Sequence, residues 1–101
     1  MKESNKKTQA LIQQLLGLAY EITTETATDV FINYAAHVHE IQVSIYPGGW
    51  KMYKSPARDI RIGLNPNWQR KTATEIHDAL QKEIDYLEFL KQIKKGEEKW
   101  I

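Results

Sequence analysis

Two histidines stand one residue apart in His37-Val38-His39. On a strand, that spacing sets both imidazoles on one side, where they can ligate a metal. Glu40 is adjacent but points the other way, and no third ligand is clearly placed. No metal and no cofactor is therefore expected. The alternative for the pair is a histidine at a turn edge beside a partly buried, hydrogen-bonded one. His77-Asp78 opens a helical segment and reads as a solvated first turn, with Asp78 favoured by the helix N-terminus. Ser4, Ser44 and Ser55 lack the context of a nucleophile elbow. Gly48-Gly49 is followed by Trp50 and reads as a hairpin turn rather than a phosphate loop. With no catalytic constellation, the chain is expected to be non-enzymatic.

The aromatic residues point towards binding. Trp50, Tyr53 and Trp68 lie in or beside two irregular segments, with Lys51, Lys54, Arg58, Arg70 and Lys71 interleaved. Cations among aromatics can neutralise phosphates and stack bases. Aromatics are also favoured anchors of protein interfaces. The competing role for each tryptophan is to close one end of a small core. The candidate binding residues are His37, His39, Trp50, Lys51, Trp68, Arg70 and Lys71.

Composition narrows the field. The 101 residues carry 14 Lys and Arg against 13 Asp and Glu, a net charge of +1. That balance argues against a strongly basic nucleic-acid arm or an acidic tail. A hydrophobic content of 42% suffices for a core, and the absence of cysteine removes disulfides, Cys-zinc sites and thiol catalysis. Met1 to Gln9 is polar and lacks the apolar region of a signal peptide. No apolar run approaches the roughly 18–20 residues that span a bilayer. A cytoplasmic protein with no membrane partner is expected.

The elements that must position these residues follow from periodicity. Leu11, Ile12, Leu15, Leu16, Leu18, Ala19 and Ile22 form one helical stripe over about Ser4 to Thr24. Ser4 is expected as its N-cap, and Gly17 is expected to mark the close approach of a neighbour. The run Thr23-Thr24-Glu25-Thr26 ends the helix, because β-branched residues lose rotamer freedom there. Asp29 to Tyr34 is rich in β-branched and aromatic residues. Ala35, Ala36 and His37 connect it to Val38–Tyr46, whose alternation puts His39, Ile41, Val43 and Ile45 on one face. Trp50 to Tyr53 can pair briefly. Asp59 to Leu64 alternates again, with Ile60, Ile62 and Leu64 inward. Thr72 and Glu75 have capping-box spacing. A second helix then runs to about Lys95 on Ile76, Leu80, Ile84, Leu87, Leu90 and Ile93, with Gly96 as its C′ residue. The predicted fold is a single α+β domain over 1–101, in the order α-β-β-β-α. A three-stranded antiparallel sheet is packed on one face by two long helices. Residues 1–5 and 97–101 are expected to be flexible.

Element order is similar to that of the double-stranded-RNA-binding domain. That resemblance implies RNA contacts from the first helix, from the turn holding His37, and from Arg70 and Lys71 ahead of the second helix. The family's Lys-Lys-x-Ala-Lys helix start is absent. A second likeness lies in the sequence itself. Val30-Phe31-Ile32-Asn33-Tyr34-Ala35-Ala36-His37-Val38, followed by Ile45-Tyr46-Pro47-Gly48-Gly49-Trp50, resembles a family of small phage and prophage accessory proteins of Gram-positive bacteria. Ala35-Ala36 stands where that family carries Ser-Gly. This resemblance implies a phage-borne accessory role in the host cytoplasm and assigns no site residues. The expected function is a non-enzymatic accessory protein that binds a host or phage macromolecule, an inhibitor of a host defence protein being one form. The alternative is a nucleic-acid-binding module.

A homodimer through the helices is also expected. A helix of about 23 residues spans roughly 35 Å, against roughly 23 Å for a seven-residue strand. The surplus of about two turns continues the stripe through Leu87, Leu90 and Ile93, with Phe89 nearby. The first helix is the competing cover.

Overall fold

A computed structural model describes residues 2–64 and 72–99. Helix α1 (Lys2–Glu25) leads into strands β1 (Asp29–Ala35), β2 (Glu40–Tyr46) and β3 (Arg58–Gly63), and helix α2 (Ala73–Lys99) closes the order. The strands form one antiparallel sheet in the order β1-β2-β3. The α-β-β-β-α prediction is met.

The threonines expected to end α1 do so through their hydroxyls. Thr24 Oγ1 donates to the Tyr20 carbonyl at 2.9 Å, and Thr26 Oγ1 to the Ile22 carbonyl at 2.6 Å. The Ile22 carbonyl also accepts the Thr26 N–H at 3.0 Å, so the hydroxyl bonds add second donors to the last turns and hold the threonine side chains against the helix end. The capping box at α2 is equally direct. Glu75 N–H donates to Thr72 Oγ1 at 3.1 Å, and Thr72 N–H donates to Glu75 Oε1 at 3.3 Å.

Two helix ends differ from expectation. Ser4 lies inside α1 rather than capping it, and Gly96 lies inside α2 rather than stopping it. One glycine costs about 1 kcal/mol in a helix. The good helix formers Glu97, Glu98 and Lys99 beyond Gly96 outweigh that cost. Gly17 marks no close approach either: a Cβ built there meets nothing within 4 Å. Leu16, placed on the apolar stripe by spacing, is 55% exposed.

The two helices run parallel. Thr8 faces His77 at 2.8 Å, Glu21 pairs with Lys91, and Glu25 pairs with Lys95 at 2.6 Å. His77 is therefore not a solvated first-turn residue; it is buried between the helices, and its imidazole bonds to Thr8. Helix α1 packs on β1 and on α2, and α2 packs on β3. The core joins Leu15, Leu18 and Ile22 of α1 to Ile41, Val43 and Ile45 of β2 and to Leu80, Ile84 and Leu87 of α2. Ile62 is buried with them, whereas Ile60, across from Val43, is only partly covered. Leu87 is fully buried and Leu90 partly so. Of the stripe along the surplus helix length, Leu87 and Leu90 are thus covered within the chain, while Phe89 and Ile93 are exposed. Among the described residues, no helix is long and apolar enough to cross a membrane.

One charged pair enters this core. Register places Arg58 opposite Ile45, on the inner face of the sheet. Arg58 Nε donates to Glu83 Oε1 at 3.0 Å and Nη2 to Oε2 at 2.8 Å, with Glu83 1% exposed. The guanidinium also lies 4.4 Å from the centre of the Tyr86 ring. The two-pronged bond to Glu83 raises the Arg58 pKa further above its already high value.

Two stability tests follow from this packing. Gly17→Ala should stabilise the chain by about 1 kcal/mol, since the site is open and helical. Arg58→Met should cost about 3 kcal/mol, because it leaves the Glu83 carboxylate buried without a partner. Adding Glu83→Leu to Arg58→Met should restore part of that loss. Urea unfolding of the three variants measures both effects.

Candidate interaction surface

The sheet's second face has no cover among the described residues. It carries Phe31, Asn33 and Ala35 from β1, Glu40, Gln42, Ser44 and Tyr46 from β2, and Asp59 and Arg61 from β3, as the registers place them. Phe31 and Tyr46 meet edge to face with ring centres 5.4 Å apart. Beside them, Gln42 Nε2 and Ser44 Oγ donate to Asp59 Oδ1 at 2.8 and 3.0 Å. These bonds favour the ionised carboxyl, so Asp59 titrates below the usual aspartate range, with the Gln42 bond as the largest cause.

At one end of the sheet, β1 and β2 are joined by a turn over 36–39. His39 N–H donates to the Ala36 carbonyl at 3.2 Å, and His39 adopts φ 49°. Strand β2 starts only at Glu40, so Val38 and His39 leave the alternation expected of them. The pairing of His37 and His39 on one side of a strand does not form, because the left-handed backbone at His39 breaks the period of two. His39 is partly buried, and its Nδ1 bonds the Tyr34 hydroxyl at 2.8 Å. His37 is exposed at the rim of a shallow outer-face hollow with Asn33, Glu40 and Arg61. Among the described residues, no three His, Cys, Asp or Glu side chains are grouped to hold a metal.

The long β2–β3 loop lies at the other end. Gly48 and Gly49 turn the chain at φ 80° and 97°, where glycine adopts positive φ without a Cβ clash. Trp50 N–H then donates to Asp29 Oδ2 at 2.8 Å, which ties the loop to the start of β1. Lys54 Nζ donates to the carbonyls of Pro47 and Gly49, at 2.5 and 3.2 Å. A second turn closes with Lys54 N–H to the Lys51 carbonyl at 3.1 Å. Its central residues are Met52 and Tyr53, and Tyr53 has φ 66°. Trp50 to Tyr53 therefore form no strand pair. A left-handed aromatic residue costs roughly 1–2 kcal/mol relative to the right-handed region. Tyr53 is nonetheless 98% exposed, with Met52 at 69% and Trp50 at 53%.

No protein family, curated protein or solved structure matches the chain.

Of the sequence candidates, Trp50 and Lys51 are brought together on the exposed loop, while His37 and His39 sit at the opposite end of the sheet. Trp68, Arg70 and Lys71 lie outside the described residues. Arg58, read from sequence as one of the loop's cations, is withdrawn to Glu83. Lys54 is held by loop carbonyls. Met52 joins Trp50 and Lys51 on the loop, and a lone Met there carries no periodic signal in the sequence. Asp59 is likewise absent from the sequence candidates; its partners come from across the strand and are visible only once the register is known.

Asp59 should show an NMR titration midpoint below the normal aspartate range. Gln42→Ala should move it upward. A lowered folded-state pKa adds stability above the unfolded value, and that stability is lost as pH falls through the folded one. The difference in stability between the parent chain and Gln42→Ala should therefore narrow in acid.

Proposed function

We propose that the chain is a non-enzymatic binding protein whose β2–β3 loop contacts a partner protein. The observation that carries this is Tyr53, an aromatic residue in a left-handed backbone, fully exposed at the apex of a braced turn between Met52 and Lys54. Strain retained where it supports no packing points to function. Trp50, Met52 and Tyr53 together offer the large apolar anchors that dominate protein interfaces. Asp29 and Lys54 hold the loop in shape beforehand, which lowers the ordering cost of binding.

The accessory role rests on the likeness of 30–38 and 45–50 to small phage and prophage proteins of Gram-positive bacteria. On that reading the partner is a host or phage protein in the host cytoplasm, an inhibited host defence protein being one form. Nucleic-acid binding is the lesser reading. With Arg58 paired and Lys54 internally bonded, Lys51 is the loop cation without such a tether among the described residues. Pairing of two copies through the helices rests now on exposed Phe89 and Ile93.

Capture from a Gram-positive lysate, followed by binding measurements on the purified partner, tests the proposal. Trp50→Ala and Tyr53→Gly should each weaken binding by about 30-fold or more, the weight of an interface anchor. Tyr53→Gly should do so while keeping or raising stability, since glycine tolerates φ 66°. Salt-dependent binding of generic duplex, with no captured protein, would favour the nucleic-acid reading instead.

A further inference from the structure

The edge of β1 is open, and it lies beneath a helix. Val30 N–H donates to Thr23 Oγ1 at 3.0 Å rather than to β2. In an antiparallel ladder the direction of these groups alternates. Ile32 and Tyr34 therefore also turn their N–H and C=O groups away from β2, and among the described residues no hydrogen bond engages those N–H groups. Folded proteins protect such edges with Lys, Pro, bulges, short strands, or a helix or loop laid over them; here α1 reaches the edge at Val30 and leaves the Ile32 and Tyr34 amides unbonded among the described residues. Strand β3 carries Arg58, Asp59 and Arg61, whereas from Val30 to Ala35 β1 has no charge, Pro or Gly. Its register with β2 runs unbroken over seven pairs.

Apolar surface stands beside that edge. A groove under the first half of α1 starts at Tyr34 on that edge and crosses the turn end of the sheet, lined by Thr8, Gln9, Ile12, Gln13, Tyr34, His39 and Leu64. Leu16 follows Ile12 by one helical turn and precedes Thr23 by two, so all three share the α1 face that looks onto the edge. Leu16 is 55% exposed. Helix α1 thus overhangs a position next to β1 that no described residue fills, from Thr23 at one end to Ile12 at the other.

We infer that the free edge of β1, roofed by Ile12 and Leu16, receives a fourth strand: an extended segment of a partner protein, apolar at alternate positions. One set of its side chains would enter the groove under α1. The other set would lie beside Phe31 and Asn33 on the open face. Spacing argues against a second copy in this place. Adjacent strands lie about 4.8 Å apart, whereas packed helices need about 8–10 Å. Two β1 strands pairing antiparallel, about a two-fold axis normal to the sheet, would bring two α1 helices on the same face closer than that. A peptide without its own helix meets no such conflict. This surface does not use the β2–β3 loop, so either can fail without the other.

The test is a displayed library of linear twelve-residue peptides panned against the intact chain. Enriched peptides should alternate apolar and polar residues. One synthesised binder should raise hydrogen-exchange protection at the Ile32 and Tyr34 amides at least tenfold and leave Val30 unchanged. Leu16→Asp alters an exposed residue, and Tyr34→Pro removes an outward N–H that an edge strand can spare. Each should weaken the peptide at least tenfold with the far-ultraviolet spectrum intact, while Trp50→Ala should not. Failure to enrich any peptide would overturn the inference, as would protection at other amides alone. A two-chain mass lost on Tyr34→Pro would assign the edge to a second copy and overturn it equally.

Discussion

An ionised carboxylate buried in an apolar core is costly unless a cation or hydrogen-bond donors reach it. Glu83 faces inward from the middle of α2, 1% exposed among isoleucines and leucines, and Arg58 is that cation. The two-pronged bond fixes where β3 begins, since Arg58 must occupy the inner face opposite Ile45. It also sets α2 over β3. A salt bridge of this kind adds little net stability compared with an apolar pair, yet either half alone is costly. Its effect is therefore chiefly one of geometry: it holds one helix to one strand in a single alignment.

Other features follow from that alignment. With α2 set over β3, α1 runs beside it in parallel, and ion pairs at Lys91 and Lys95 border the seam. Both helices lie on one face, so the other is left open with Phe31, Tyr46 and the Asp59 network. Three strands are narrow for two helices. The outward face of α1 then projects past β1, which is why Leu16 is exposed despite its place in the apolar pattern. Arg58 is drawn out of the loop by the same pairing, and the loop's exposed character becomes mainly aromatic and apolar.

Much of this was legible in the sequence, for identifiable reasons. The alternation of Ile41, Val43 and Ile45 and the stripe of Leu80, Ile84 and Leu87 are repeated signals that tertiary contacts reinforced. The Thr72 and Glu75 box is local and self-contained, and it appeared as read. What was hidden depended on single residues. His39 continues the period of two by type, but a left-handed backbone removes it from the strand. His77 looks like a solvated helix start until a parallel α1 places Thr8 against it. Gly17 and Gly96 have no structural task that a sequence could announce. Of the candidate site, Trp50 and Lys51 were found by composition. The strain at Tyr53 and the role of Asp29 were not, since both reside in backbone geometry.

Asp29 connects the two exposed surfaces. It opens β1, and its carboxylate accepts the Trp50 N–H, so the loop is anchored to the strand with the open edge. Consistency between local preference and global fold is what makes a sequence specify one structure. Two places break it among the described residues: a bulky residue at positive φ with nothing packed on it, and an edge strand whose Ile32 and Tyr34 amides have no partner. Among the described residues α1 covers the edge only in part, through Thr23 at Val30, and nothing packs on Tyr53; Asp29 touches the element that carries each. A partner that covered the loop and added a strand to β1 would resolve both departures at once. The core tolerates them because the Arg58–Glu83 bond and the helix seam hold the sheet independently of the loop and of the outward amides of β1.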